Sequence, residues 1–280
     1  MFPKYQSRQI KPRFEWHPVM DPNHPLSIGC VGLWLLNEPA GLRAHDLSGF
    51  QNHGILTDFD FSESSGWQPH KPGQVLRFDG TNDHIALGNP SSLNISGDIT
   101  VSARINFTAS SLNKPIVARW GTDESYALMV DYTDSNKLLF IIKVAEVSKL
   151  AVTSGTYNDG KWHLVVGIFN GANVKINVDW SVEDVTGQAT SGPIDTPAQN
   201  VVIGSYNNST GFFNSFIDEV RIYNRALSQG EIQWLYQAPY DNLIVEPTRK
   251  FWFIPEVTAS GLSIPVAKHV RSLSPNFHVY

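Results

Sequence analysis

The sequence predicts an all-β protein, an antiparallel sandwich or barrel with one short helix near the C-terminal end and an extended arm at each terminus. Three observations carry that expectation. Asp98-Ile99-Thr100-Val101-Ser102-Ala103-Arg104-Ile105-Asn106-Phe107 alternates strictly, with Ile99, Val101, Ala103, Ile105 and Phe107 on one face. Turn dipeptides recur along the chain at Asp79-Gly80, Ser96-Gly97, Asp159-Gly160 and Asn170-Gly171, as many short strands require. The composition agrees: 41% hydrophobic residues supply a core, and 21 Gly with 17 Pro suit turns better than helices. Charged residues reach only 17%, below the ~25% of ordinary soluble domains, so Ser, Thr, Asn and Gly must cover much of the surface.

The elements follow in chain order. Residues 1–27 are rich in Pro, His and basic side chains and show no periodicity, which predicts an extended arm ordered only against a partner surface. From Val31 the pattern becomes β. After the alternating strand, Leu138 to Val144 is a more continuous apolar run, and Trp162 to Phe169 and Val174 to Val178 flank Asn170-Gly171-Ala172-Asn173 as a hairpin. Val201-Val202-Ile203-Gly204 and Phe216 to Tyr223 complete the strands. Trp34 and Trp162 are assigned to the core. Ser228-Gln229-Gly230-Glu231 is a capping box, after which Ile232, Leu235 and Tyr236 share a helical face until Pro239. Residues 239–280 carry a proline about every ten positions, and between them lie bulky clusters such as Phe251, Trp252, Phe253 and Ile254. A free surface of that apolarity favours association, so these four residues are the expected assembly contacts.

Charge and cysteine content narrow the function classes. The formal charge is −5, yet residues 1–25 and 239–280 each carry a net positive charge, which leaves an acidic body. Nucleic-acid binding would need a basic stripe, and that is excluded. Cys30, the single cysteine, permits no intrachain disulfide and reads as a buried, inert thiol. The N-terminus has no apolar run of a secretory signal, and no stretch approaches the ~18 apolar residues of a membrane span. The expected location is therefore a virion, or outside the cell by a route such as virion assembly and lysis.

Five segments resemble one family, the laminin G-like domains of the concanavalin A-like lectin/glucanase superfamily. Gly32-Leu33-Trp34-Leu35-Leu36-Asn37-Glu38 is similar to its first strand, and Asp46-Leu47-Ser48-Gly49-Phe50-Gln51-Asn52-His53-Gly54 to the loop that follows. Phe78-Asp79-Gly80-Thr81-Asn82-Asp83-His84-Ile85 is similar to a strand–turn of the family, with His84 in place of an aromatic residue. Asn158-Asp159-Gly160-Lys161-Trp162-His163 and Ile217 to Ser228 are similar to a further turn and to the closing strand and helix start. The resemblance implies a jelly-roll β-sandwich over residues 28–238, between an N-terminal arm (1–27) and a C-terminal arm (239–280). One departure is notable: Val178-Asp179-Trp180 carries Trp where the family's hairpin has Gly.

Enzymes of this superfamily are mostly glycoside hydrolases, which need two carboxylates ~5–5.5 Å or ~6.5–9.5 Å apart across the scissile bond. One strand would supply them at alternate positions. The strands at 138–144 and 162–169 contain no acidic residue, so no hydrolase is expected. The nine histidines show no zinc spacing, and His163 reads as a packed, hydrogen-bonded strand residue. The resemblance implies instead a structural calcium held by Asp46, Asn52 and Asp218. Against it stands an account in which Asp46 and Asn52 form Asx turns and Asp218 bonds a loop backbone. For a sugar, the expected platforms and amides are Trp120, Trp180, Tyr206 and Asn207, with Trp67, Asp123 and Asn208 in support; core packing or a partner contact is the competing account for each.

Together these readings predict a non-enzymatic virion structural or adhesion protein, a phage capsid-decoration or tail component. Sandwiches behind an arm ending in His24-Pro25-Leu26 look like those of phage structural proteins. The expected partners are copies of the same chain, other virion proteins and cell-surface glycans. The alternative is a secreted or cell-surface carbohydrate-binding module.

Overall fold

The computed structural model describes residues 11–14, 18–70, 73–108, 114–131, 136–182, 187–207 and 210–245. All of them belong to one compact unit, Met1–Val245. The expected assembly residues Phe251 to Ile254, and Asn208, lie outside the described residues.

In chain order the strands are β1 (Val19–Met20), β2 (Cys30–Trp34), β3 (Arg43–Ala44), β4 (Gly54–Thr57), β5 (Gly66–Pro69), β6 (Gln74–Asp79), β7 (His84–Gly88), β8 (Ile99–Asn106) and β9 (Lys114–Trp120). They continue with β10 (Glu124–Val130), β11 (Leu138–Val144), β12 (Val147–Val152), β13 (His163–Phe169), β14 (Val174–Val178), β15 (Ser181–Val182), β16 (Val201–Ile203), β17 (Asn214–Tyr223) and β18 (Leu243–Ile244). One helix, α1 (Gln229–Gln237), follows β17. Two eight-stranded antiparallel sheets form a sandwich of the jelly-roll type. Sheet I runs β12-β11-β10-β9-β16-β7-β4-β3. Sheet II runs β15-β14-β13-β8-β17-β6-β5, with β2 also on β17. The ten-residue β17 holds β6 at Asn214–Ile217 and β2 at Val220–Tyr223, and runs beside β8 on its other edge. A register shift between Asp218 and Arg221 separates its two halves.

The core lies between the sheets. Ile99, Val101, Ala103 and Ile105 of β8 enter it, as their alternation predicts, and meet Tyr126, Leu128, Phe140 and Ile142 from sheet I. Trp34 joins them with its Nε1 donating to the Asn52 carbonyl at 2.9 Å. Trp162, by contrast, is only half-buried: its ring lies 5.3 Å from His70 and 6.2 Å from Phe216, outside the core. The sequence-based assignment of Trp162 to the core is corrected, because the turn before β13 leaves it on a rim.

On the other face of β8, Thr100 and Ser102 are fully buried as well. A third layer covers them. Leu33, Leu35, Leu164, Val166 and Ile168 on the outer face of sheet II pack against Ile232 and Leu235 of α1, with Leu26, Tyr240 and Leu243. Thr100 Oγ1 donates to the Arg225 carbonyl at 2.8 Å and accepts from the Leu227 amide at 3.0 Å. The capping box of α1 is formed as its spelling predicts, with Ser228 accepting from the Glu231 amide and Glu231 reaching back to Ser228. Cys30 sits in the same layer, and burial pushes its thiol up to about 12, which leaves it inert.

Residues outside the expected limits of 28 and 238 share contacts with the sandwich. Val19 and Met20 pair with Ile244 and Leu243, so segments from both expected arms close one two-stranded ribbon. His24 is fully buried, with its ring 4.5 Å from Trp234 of α1. Lys11 is also buried, and its Nζ meets Asp218 Oδ1 at 2.5 Å and the Gln74 carbonyl at 2.8 Å. The described part of the N-terminal arm is thus ordered on the chain's own sandwich, because the uncovered outer face of sheet II is the surface its apolar residues needed.

Candidate functional site

The outer face of sheet I has a different cover. Antiparallel pairing sets Ala127 against Ile141 and Ala118, and Met129 against Leu139, so one face of β9–β11 carries a small apolar floor. Ala118, Ala127, Met129, Leu139 and Ile141 form it, and the partly buried Trp120, Leu150, Val152 and Tyr206 pack on it. Tyr206 follows β16 and is bridged to Thr210. Its hydroxyl reaches across to Met129 Sδ at 3.0 Å. Trp120 ends β9, where the next turn brings in polar groups. Glu124 pairs with Trp120 across the strands and accepts from Lys143 Nζ at 2.9 Å. Lys143 also meets Glu146 at 3.1 Å, and the two carboxylates hold its ammonium above the usual lysine range.

Gly121, directly after Trp120, decides how close these groups come. A Cβ there would lie 2.3 Å from Gln199 Nε2 and 2.8 Å from Asn207 Cβ, so only glycine lets both amide side chains approach. Gln199 is 5% exposed, and its Nε2 is buried with no hydrogen-bond partner. A buried, unmatched donor costs about 1–3 kcal/mol and calls for an explanation. The face therefore presents two aromatic rings, the Asn207 amide and a Glu–Lys pair at one end of a sheet, with the Gln199 amide buried beside Gly121. Such a set orients a polar ring by hydrogen bonds while an aromatic side chain supplies area.

Of the four ligand residues expected from sequence, the structure brings Trp120, Tyr206 and Asn207 together. Trp180 lies on sheet II, in the β14–β15 hairpin, with its ring 4.7 Å from Tyr236 of α1. Trp67 packs at the edge of the core and donates to the Gly41 carbonyl. Gln199, Glu124 and Lys143 were not foreseen. The only signal for them is the position of Lys143 on the apolar run that defines β11, and nothing local marks Glu124 or Gln199.

The three calcium residues do not fit a shared ion. Asp46 Oδ1 accepts from the amides of Leu33 (2.9 Å) and Ser48 (2.8 Å), and Oδ2 from Ser48 Oγ (2.7 Å) and the Asn52 amide (2.9 Å). Protein donors therefore occupy both oxygens, in the Asx-turn geometry that was the competing account. Asn52 donates to the Val31 carbonyl and accepts from Ser92. Asp218 is bound to Lys11, so an ammonium already stands where a cation would. Among the described residues no group of three or more His, Cys, Asp or Glu side chains gathers as a metal site.

Nor do the buried carboxylates of β17 form a hydrolase pair. Burial pushes Asp218 up, with Lys11 opposing it, to about 7. Glu219 is held below the usual range by Arg104 and Arg221 against the opposing effect of burial. A split of this kind can mark an acid and a base. Here Glu219 Oε2 is tied to Arg104 Nε at 3.1 Å, Tyr240 donates to its other oxygen, and both residues are at most 5% exposed. They fasten the terminal segments to the sheet. His163 likewise bonds Asp179 (2.7 Å) and Asp159 (3.0 Å), as a packed strand residue would.

Comparison with known proteins agrees with this architecture. Residues 79–233 match the laminin G family of the Concanavalin A-like lectin/glucanases superfamily. No curated protein matches the chain. Among solved structures, domain 4 of AbnA, an extracellular arabinanase from Geobacillus stearothermophilus, in complex with arabinotriose, aligns with a TM-score of 0.58 and 18% identity over 74% of this chain and 98% of that one. The binding domain of Paraclostridial Mosquitocidal Protein 1 aligns with a TM-score of 0.57 and 17% identity, over 77% of this chain and 53% of that one. The binding domain of Botulinum Neurotoxin DC in complex with SialylT gives 0.54 and 16%, over 74% and 50%. The chain thus spans about half the length of the two toxin domains and nearly all of the arabinanase domain. At these identities the likeness shows the fold.

Proposed function

Because this chain belongs to the Concanavalin A-like lectin/glucanases superfamily, we propose that it is a non-enzymatic adhesion protein that binds glycans on the outer face of sheet I. The observation that carries the reading is the meeting of Trp120 and Tyr206 over one apolar floor, with Asn207 and Gln199 at their edge. Two neighbours were solved with ligands, one with arabinotriose and one with SialylT, which supports a saccharide as the ligand class. A sugar ring stacked on Trp120 would exchange hydrogen bonds with the Asn207 amide and with the Glu124–Lys143 pair. The test is an array of immobilised glycans probed with the full chain and with Trp120→Ala. Binding to a defined set that falls at least tenfold in the variant supports the reading. An array blank for both proteins, or signals that ignore Trp120, would discard it.

We further propose a virion setting, capsid decoration or tail, in which Phe251, Trp252, Phe253 and Ile254 bury themselves on a neighbouring subunit. Their apolar cluster supports it, since such a surface left in water favours association. Light scattering on the full chain and on a form ending at Val245 tests this. An oligomer that becomes a monomer on truncation supports assembly through the tail; equal masses for both would remove that role.

A further inference from the structure

On the far side of the sandwich, a cleft of about 860 Å³ opens beside the C-terminal half of α1. Arg104, Gln233, Trp234, Tyr236, Gln237 and Asp241 line it. Trp180 does not line the cleft but flanks it through Tyr236: it is 42% exposed, its ring is edge-on to Tyr236, and its carbonyl accepts from Gln229 Nε2.

The backbone of Trp180 is the unusual feature. Val178 pairs with Ser181, so Asp179 and Trp180 alone make the β14–β15 turn. Their φ values are +48° and +66°, the two left-handed positions of a type I′ hairpin, where Asp-Gly or Asn-Gly is preferred. A bulky aromatic residue at φ > 0 is an outlier, and strain of this kind is retained where function uses it. Asp179 earns its position by bonding the Leu164 amide and His163. The Trp180 side chain makes no comparable bond; it offers an exposed ring.

The chemistry of the cleft selects the ligand. Arg104 is already neutralised, with Nε on Glu219 at 3.1 Å and Nη2 on the Tyr236 carbonyl at 3.1 Å. Asp241 accepts from Trp234 Nε1 at 2.9 Å. The last turn of α1 carries no basic residue, so its partial negative charge is unopposed along the chain. Acceptors and amides beside two aromatic rings, without a spare cation, suit hydroxyl donors on an uncharged ring and disfavour an anion. We infer that the cleft beside α1, lined by the rings of Trp234 and Tyr236 and flanked by Trp180 on Tyr236, is a second binding site, for neutral oligosaccharides. The site rests on the same lectin-like reading as the face of sheet I but shares no residue with it. Two sites on opposite faces would let one chain bridge two glycan strands.

The experiment follows the indole N–H resonances of the full chain, assigned with single Trp→Phe variants. The probes are maltotriose, cellotriose, xylotriose and arabinotriose, with 3′-sialyllactose as the anionic contrast. Saturable shifts of the Trp180 and Trp234 signals with a neutral trisaccharide are expected, and Trp180→Gly should abolish the Trp234 shift without lowering the melting temperature, because glycine suits φ +66° better. Four results would overturn the site: Trp180 and Trp234 signals that stay still with every probe; signals that move only with 3′-sialyllactose; a Trp234 shift that survives Trp180→Gly; or a melting temperature that falls by several degrees in that variant, which would make Trp180 a packing clamp. If the Trp120 signal moves while those of Trp180 and Trp234 stay still, the sheet I site stands and only the cleft fails.

Discussion

The two outer faces of the sandwich have had opposite fates. On sheet II the chain covers its own surface with α1, the His24–Ser27 turn and the Leu243 segment, and ties the cover down with Lys11–Asp218 and Tyr240–Glu219–Arg104. On sheet I a smaller apolar floor carries the half-buried Trp120 and Tyr206, beside polar groups whose bonding is incomplete. The contrast is between a face the chain closes by itself and one it leaves partly open. A face closed by many contacts is costly to alter, whereas a face roofed by two aromatic rings can exchange part of its cover for a ligand.

The strongest way to break that contrast is at the buried ion pair. Lys11→Met leaves the Asp218 carboxylate buried without a partner and should cost about 3–5 kcal/mol in chemical denaturation. A loss below 1 kcal/mol would mean that the arm does not hold the closed face. Deleting residues 1–25 removes the same lysine and should be at least as damaging. Next in size is Trp120→Ala on the open face. It removes a half-buried ring, and the expected loss is about 1–2 kcal/mol, well below that of a core aromatic residue, with glycan binding lost. Equal losses at both sites would erase the distinction between the faces.

A smaller effect concerns pH. Hydrogen bonds from His163 to Asp179, and then to Asp159, raise it above its ordinary value of 6.5, with burial opposing them. The folded protein then holds this proton more tightly than the unfolded chain. That stabilisation is fully present below pH 6.5 and is lost as the pH rises through the folded-state value. Stability measured from pH 5 to 9 should fall across this window, and His163→Gln should flatten that part of the profile. The smallest expected effect is that of chelation. With Asp46 saturated by protein donors and Asp218 held by Lys11, EDTA should leave the melting temperature unchanged. A drop of several degrees, abolished by Asp218→Ala, would restore the calcium.

The family motifs prove to be structural fasteners. Asp46 organises the first loop, Asp159 and His163 brace the turn before β13, and Asp218 and Glu219 anchor the termini. The proposed binding face draws instead on β9, β10 and β11, of which only β11 was recognised as a strand from its apolar run. Lys114–Trp120 and Glu124–Val130 carry no motif, and Pro115, Arg119 and Ser125 interrupt their apolar pattern. Trp120, Tyr206 and Asn207 were nonetheless visible as aromatic and amide residues in loop-like contexts.

What the sequence alone determined was local in origin. Alternation placed Ile99 to Ile105 in the core, Asn170-Gly171 made a hairpin, and Ser228 with Glu231 started the helix, because each depends on neighbours within a few positions. Tertiary structure alone decided that Lys11 would reach Asp218, that Gln199 and Asn207 would meet at Gly121, and that Trp180 would stand by α1 instead of beside Trp120. Those meetings depend on strand order and register between segments far apart in the chain. No short stretch encodes them, since the same alternation permits many pairings, and the burial of both sheet faces selects one.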